Sequence, residues 1–158
     1  MSRTKKLNTN LNRIKKLDPI YSSPTVQMIL QRIIKNGKKK LAFRIIQKIF
    51  KNIEKKTKSD PFSTIETAIR NTTPSVHIQT RRLGGSVHSI PVTLNPEIGT
   101  LRAIGWIVNS AKTRPGYNFD IKLANEFIDA SKKQGNAFHK KEEIHKIAEK
   151  NSRSTYKK

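Results

Sequence analysis

Residues 76–94 read VHIQTRRLGGSVHSIPVTL, and the reading of this stretch decides the fold. Before it, apolar residues recur at helical spacing; within it the period drops to two. Val76, Ile78 and Thr80 share one face of an extended run, with His77, Gln79 and Arg81 on the other. After Gly84-Gly85, Ile90, Val92 and Leu94 share a face. Two alternating runs joined by a glycine pair predict a β-hairpin over about 75–94. Pro91 cannot donate to a ladder, so it belongs at an edge or a bulge. The apolar residues gather at the base of the hairpin. The tip holds Arg81, Arg82, Gly84, Gly85, Ser86 and His88. The base can therefore pack on a body while the tip projects into solvent or into a partner.

Outward from the hairpin, the chain reads as helices. Ser23 as a cap and Pro24 at the first helical position open one, with Val26, Ile29, Leu30, Ile33 and Ile34 at helical spacing and Asn36-Gly37 ending it. A second runs from about Lys39 to Lys56, with Leu41, Ile45, Ile46, Ile49, Phe50 and Ile53 as its apolar stripe and Lys40, Arg44, Lys48, Lys51 and Lys55 opposite. Ser59-Asp60-Pro61 opens a third, buried through Phe62, Ile65, Ala68 and Ile69 and stopped at Thr73-Pro74. Past Pro96, a fourth runs from about Gly99 to Lys112 on Leu101, Ile104, Ile107 and Val108, with Trp106 at its edge and Arg114-Pro115-Gly116 closing it. Asn118 can cap a fifth, carrying Ile121, Leu123, Ala124, Phe127 and Ile128 and ending at Gly135. The last, about Ala137 to Lys150, carries Ile144, Ile147 and Ala148. The expected fold class is mainly α, a single domain of about six helices with a protruding β-hairpin. Residues 1–17 are expected as a basic arm, disordered when free; 18–151 as the helical domain that carries the hairpin; and 152–158 as a polar tail.

Charge says what the chain meets. Its 158 residues carry 33 Lys and Arg against 11 Asp and Glu, a formal net charge of +22. Such a chain repels itself when compact unless a polyanion neutralises it. Nucleic acid is the first candidate and an anionic membrane surface the second. Residues 1–17 hold six basic residues and no acid. Between Arg32 and Lys58 there are eleven basic residues and one acid, Glu54. Ordinary solvated faces mix signs, so phosphate contacts explain this bias better. There is no cysteine, which excludes disulfides, thiolate nucleophiles and cysteine-based zinc sites. No apolar run approaches a bilayer span, and MSRTKKLNTNLNRIKK lacks the apolar region of a secretory signal. The richness in Lys, Asn and Ile is a bias that an AT-rich genome produces.

No catalytic set emerges. His139, Glu142, Glu143 and His145 have the elements of a metal site, but the spacing is not HExxH, and Lys140, Lys141 and Lys146 among them oppose a cation. A Mg²⁺-dependent nuclease needs clustered carboxylates, whereas Asp18, Asp60, Asp120 and Asp129 are scattered. Gly84-Gly85 lacks the lysine of a P-loop. The expectation is no enzyme, no cofactor and no metal.

Four stretches then converge on one family: DPIY (Asp18 to Tyr21), NGKKKLAFRII (Asn36 to Ile46), RRLGGSVHSIPV (Arg81 to Val92) and KKEEIHKIAEKN (Lys140 to Asn151). With RPGYNF (Arg114 to Phe119) and LANEFIDA (Leu123 to Ala130), the chain resembles the small-subunit ribosomal protein seven family over residues 18–151. Leu83 stands where the family's hairpin has valine, and Ser152 to Tyr156 lacks its alanine and aromatic run. The resemblance implies a structural constituent of the small ribosomal subunit. It would bind the 3′ major (head) domain of the ribosomal RNA, nucleate head assembly and sit among other head proteins. Its hairpin would lie near the E-site tRNA and the mRNA path. No membrane and no homo-oligomer are implied. DPIY and RPGYNF look most like plastid-encoded members, with a mitochondrion or bacterial cytoplasm as alternatives. The RNA-facing residues expected are Arg3, Lys5, Lys6, Arg13, Lys15 and Lys16 in the arm. Lys35, Gly37, Lys38, Lys39 and Lys40 follow at the first turn, then Arg102, Lys112 and Arg114, then Lys140, Lys141 and His145. Arg81, Arg82, Gly84, Gly85 and Ser86 form the tip on the tRNA and mRNA side.

That gives the tip arginines a physical role. Arg grips phosphate bidentately, glycines let backbone approach closely, and RNA is recognised largely by shape. Two other readings stay open: a DNA-binding architectural module, supported by charge without a groove-reading motif, and an enzyme acting on nucleic acid.

Overall fold

The computed structural model describes residues 21–83 and 85–155. The six basic residues of the arm, Asp18 to Ile20 of DPIY, and Gly84 lie outside that range. Six helices and one hairpin occupy it: α1 Pro24–Ile33, α2 Lys39–Thr57, α3 Pro61–Thr72, β1 Val76–Leu83, β2 Ser86–Thr93, α4 Pro96–Thr113, α5 Phe119–Ser131 and α6 Asn136–Thr155. The class is mainly α with a β-hairpin, as the change of period required. The described residues pack as two compact units, one ending at Gln47 and the other beginning at Lys48, dividing within α2.

In the first unit, Pro24 opens α1, which buries Val26, Ile29 and Leu30. Ser23 occupies the cap position but makes no capping bond through its side chain, so the proline's fixed φ supplies the start. Asn36 (φ 50°) and Gly37 (φ 71°) take the left-handed conformation that reverses the chain into α2. Along α2, which continues into the second unit, the buried stripe is Ala42 and Ile46, then Ile49 and Ile53. Leu41, expected in that stripe, is 53% exposed. Position 42, not 41, stands four, seven and eleven residues before the other three, so helical geometry selects the smaller residue.

In the second unit, Asp60 caps α3 by accepting from the backbone N–H groups of Phe62 and Ser63, with Pro61 at the first position. Helix α4 begins at Pro96, a turn's length earlier than Gly99, because Asn95 accepts from Glu97 N–H and caps it. The core is Ile65, Ala68 and Ile69 of α3; Ala103, Ile104, Ile107, Val108 and Ala111 of α4; and Leu123, Ala124, Phe127 and Ile128 of α5. Helix α5 packs on α3 and α4, and α6 packs on α4 and both strands of the hairpin. Gly99 lets α4 approach the end of α3: a Cβ there would meet the Pro74 carbonyl oxygen at 2.9 Å and Thr73 Cγ2 at 3.1 Å. Ile121 and Ile147, expected on buried faces, are 40% and 41% exposed. Each lies beside its helix's buried row rather than in it. Helix α6 runs on to Thr155, past the expected end at Lys150 and into the expected tail.

The hairpin is antiparallel, from Val76↔Thr93 to Leu83↔Ser86, so its loop is Gly84-Gly85. Paired residues share a face, which puts Ile90 and Val92 with Gln79 and His77, while Pro91 joins Ile78. The apolar residues of the two strands therefore lie on opposite faces. Both faces are half-buried at the base, around His77, Ile78 and Ile90. Pro91 fits because β2 has no second neighbouring strand among the described residues.

Candidate nucleic-acid interface

Two of the expected groups come together as exposed clusters. At the turn between α1 and α2, Lys35, Gly37, Lys38, Lys39 and Lys40 are all exposed. The turn is closed by Lys38 N–H donating to Lys35 O at 3.0 Å and Lys39 N–H to Gly37 O at 2.8 Å. At the hairpin tip, Arg81 faces His88 and Arg82 faces Val87 across the ladder, and all four are exposed. Gly85 has φ 86°, a conformation that L side chains avoid. A positive φ in a two-residue loop matches the twist of the strands it joins, so the glycine fixes how the arginines are presented. Further along, Lys112 and Lys140 are exposed. Arg102 lies half-buried on α4, near enough to His77 for its charge to act on that ring.

Three expected RNA-facing residues also have partners within the fold. Arg114 Nε donates to Glu126 Oε2 at 2.7 Å, and its Nη2 donates to Asp129. Burial works against the Arg114 cation, but these two carboxylates more than offset it and hold its pKa above the ordinary arginine value. These two carboxylates offset its charge within the fold. Lys141 Nζ donates to Asn71 O at 2.7 Å, in the last turn of α3, where a cation satisfies carbonyls and suits the helix dipole. Ser75 N–H donates to His145 Nε2 at 3.4 Å, joining the base of the hairpin to α6. Lys141 and His145 thus hold α6 against the hairpin base and the end of α3.

Sequence reasoning missed Glu126. It is fully buried, with Oε2 on Arg114 and Oε1 accepting from Ala137 N–H at 3.1 Å. One carboxylate thereby links the end of α4, the middle of α5 and the start of α6. Gly135 makes room for it: a Cβ at that position would lie 3.3 Å from Oε1. The signal was a glutamate set among Leu123, Ala124, Phe127 and Ile128. Asn71 was missed too; its Nδ2 donates to Ala130 O and Ser131 O, closing the end of α5.

Among the described residues, no group of three or more His, Asp or Glu could hold a metal ion, and no helix is long and apolar enough to cross a membrane. The exposed clusters carry one sign of charge, the pattern that a polyanion-binding protein presents. The chain belongs to the ribosomal protein S7p/S5e family, whose model matches residues 4–152. It is similar to the small ribosomal subunit protein uS7c of Nephroselmis olivacea, 42% identical over 144 residues, which cover 91% of this chain and 92% of that protein. As a member of that family it is a structural, non-enzymatic constituent of the small ribosomal subunit.

Proposed function

We propose that this protein binds the 3′ major domain of the small-subunit ribosomal RNA, nucleates assembly of the head, and presents its hairpin near the E-site tRNA and the mRNA path. The compartment proposed is the plastid, on the similarity to uS7c and on the DPIY and RPGYNF stretches. The observation that carries the reading is the hairpin tip. Arg81 and Arg82 are exposed on a strand pair whose base is packed on α6, so they are free to meet a partner and add nothing to the core. The arm, the Lys35 to Lys40 turn, Lys112 and Lys140 supply the remaining phosphate contacts.

The test replaces Arg81 and Arg82 together with alanine. Exposed substitutions of this kind cost within about 0.5 kcal/mol of stability, so thermal melting is expected to stay put. Binding to a 3′ major domain transcript should weaken, and the salt slope should fall by roughly 0.7–0.9 for each phosphate that is no longer neutralised. Unfolding of the double variant would refute the placement of the tip, and an unchanged slope would refute its pairing with RNA.

A further inference from the structure

Tyr117 has no place in the role described so far. It sits between α4 and α5 with its ring fully open to solvent, the only aromatic ring so exposed among the described residues. An apolar ring left bare calls for an explanation when its loop is held at both ends. Arg114 fixes one end through Glu126 and Asp129, and Lys122 N–H donating to Asn118 O at 3.1 Å starts α5 at the other. Between them Gly116 has φ 125°, and the Lys122 stem lies across it, 3.5 Å from where a Cβ would stand.

The ring borders an open cleft of about 420 Å³ between this loop and the first turns of α5. The lining of the cleft contains no carboxylate. Ile121, 40% exposed, gives it an apolar wall. Asn118 occupies the cap position of α5 without making the capping bond, so its amide is open to a ligand. Asn125 closes the far side and accepts from Lys56 Nζ, which brings a second ammonium to the rim of a cleft that Lys122 lines. An aromatic face, an apolar wall, an uncommitted amide and two ammonium groups are what an unstacked nucleotide needs: stacking, edge hydrogen bonds and phosphate pairing.

We infer that the Tyr117 cleft takes one unpaired nucleobase of the bound RNA, stacked on the Tyr117 ring, with Lys122 and Lys56 on the adjoining phosphates. This rests on the proposed RNA-binding function and adds a base-contacting site to it. Charge decides for RNA over a protein partner: the cleft presents cations without a carboxylate among them, and Ile121 alone is too little apolar surface for a protein anchor.

The experiment titrates the full chain, Tyr117→Ala and Tyr117→Phe, with the 3′ major domain transcript and separately with single-stranded poly(A). Tyr117→Ala is expected to weaken binding roughly 5- to 150-fold on both. Its salt slope should not change, because a stacked ring carries no charge. Tyr117→Phe should bind like the parent, and melting should be the same for all three chains. An Ala variant that binds as the parent does, or a Phe variant as weak as Ala, overturns the inference. The two readings fail separately. A parent chain that does not prefer the transcript refutes the ribosomal RNA assignment, while the poly(A) arm still decides whether Tyr117 stacks a base.

Discussion

At the scale of single residues, the fold turns on a few polar groups rather than on its many lysines. Glu126 is the clearest case. A buried carboxylate is tolerated only when its oxygens are satisfied, and here Arg114 and Ala137 N–H do so. Glu126→Gln should cost about 2–3 kcal/mol, below the range for breaking a fully buried pair because Arg114 keeps some contact with water. Urea denaturation would measure it, and a change within experimental error would contradict the linking role. Lys140 and Lys141 are adjacent and chemically identical, yet it is Lys141 whose ammonium reaches the Asn71 carbonyl. Lys141→Ala should cost about 1 kcal/mol of stability, whereas Lys140→Ala should leave melting unchanged and weaken RNA binding. A reversed order would contradict the internal role of Lys141. No reading of the string KKEEIH separates the two lysines, because their difference lies in where the end of α3 falls in space.

At the scale of elements, helices and hairpin were legible because local chemistry fixes them. Proline after a capping residue, glycine pairs and the change of period act over a few residues and leave a mark in sequence. The parity of the hairpin was not legible in the same way. A two-residue loop closing on Leu83↔Ser86 puts Ile90 opposite Gln79, which no single strand's pattern reveals. The start of α4 was misplaced because Asn95-Pro96 is cap chemistry that resembles a loop when read after a strand. Exposed Leu41, Ile121 and Ile147 were misassigned for another reason: one position on a helix is 100° of arc, and a neighbour filled the core.

The base of the hairpin also carries a pH dependence. Burial first, and then the charge of Arg102, hold the His77 ring below the ordinary histidine value of 6.5. The unfolded chain therefore binds a proton that the folded chain refuses in the window just below 6.5. Stability that is present above this value is lost as pH falls through the folded pKa. An NMR titration of the His77 ring should give a pKa under 6.5, moving back towards it in Arg102→Gln. A ring that titrates at or above the ordinary value would contradict the burial of this face.

At the scale of the whole molecule, the excess of 33 basic over 11 acidic residues is the main functional signal. This charge is not uniform in use. Arg114 and Lys141 hold the fold together, while the Lys35 to Lys40 turn and the hairpin arginines stand exposed. Composition alone gave the class of partner, since a polyanion offsets such self-repulsion. It could not say which cations are internal, because that depends on carboxylates and carbonyls brought close by folding. The central claim is that the exposed cations recognise one domain of one RNA. Chemical footprinting of the small-subunit ribosomal RNA, with and without the full chain in moderate salt, tests this most directly. Protection confined to the 3′ major domain is the predicted result, and diffuse protection that disappears as salt is raised would contradict it.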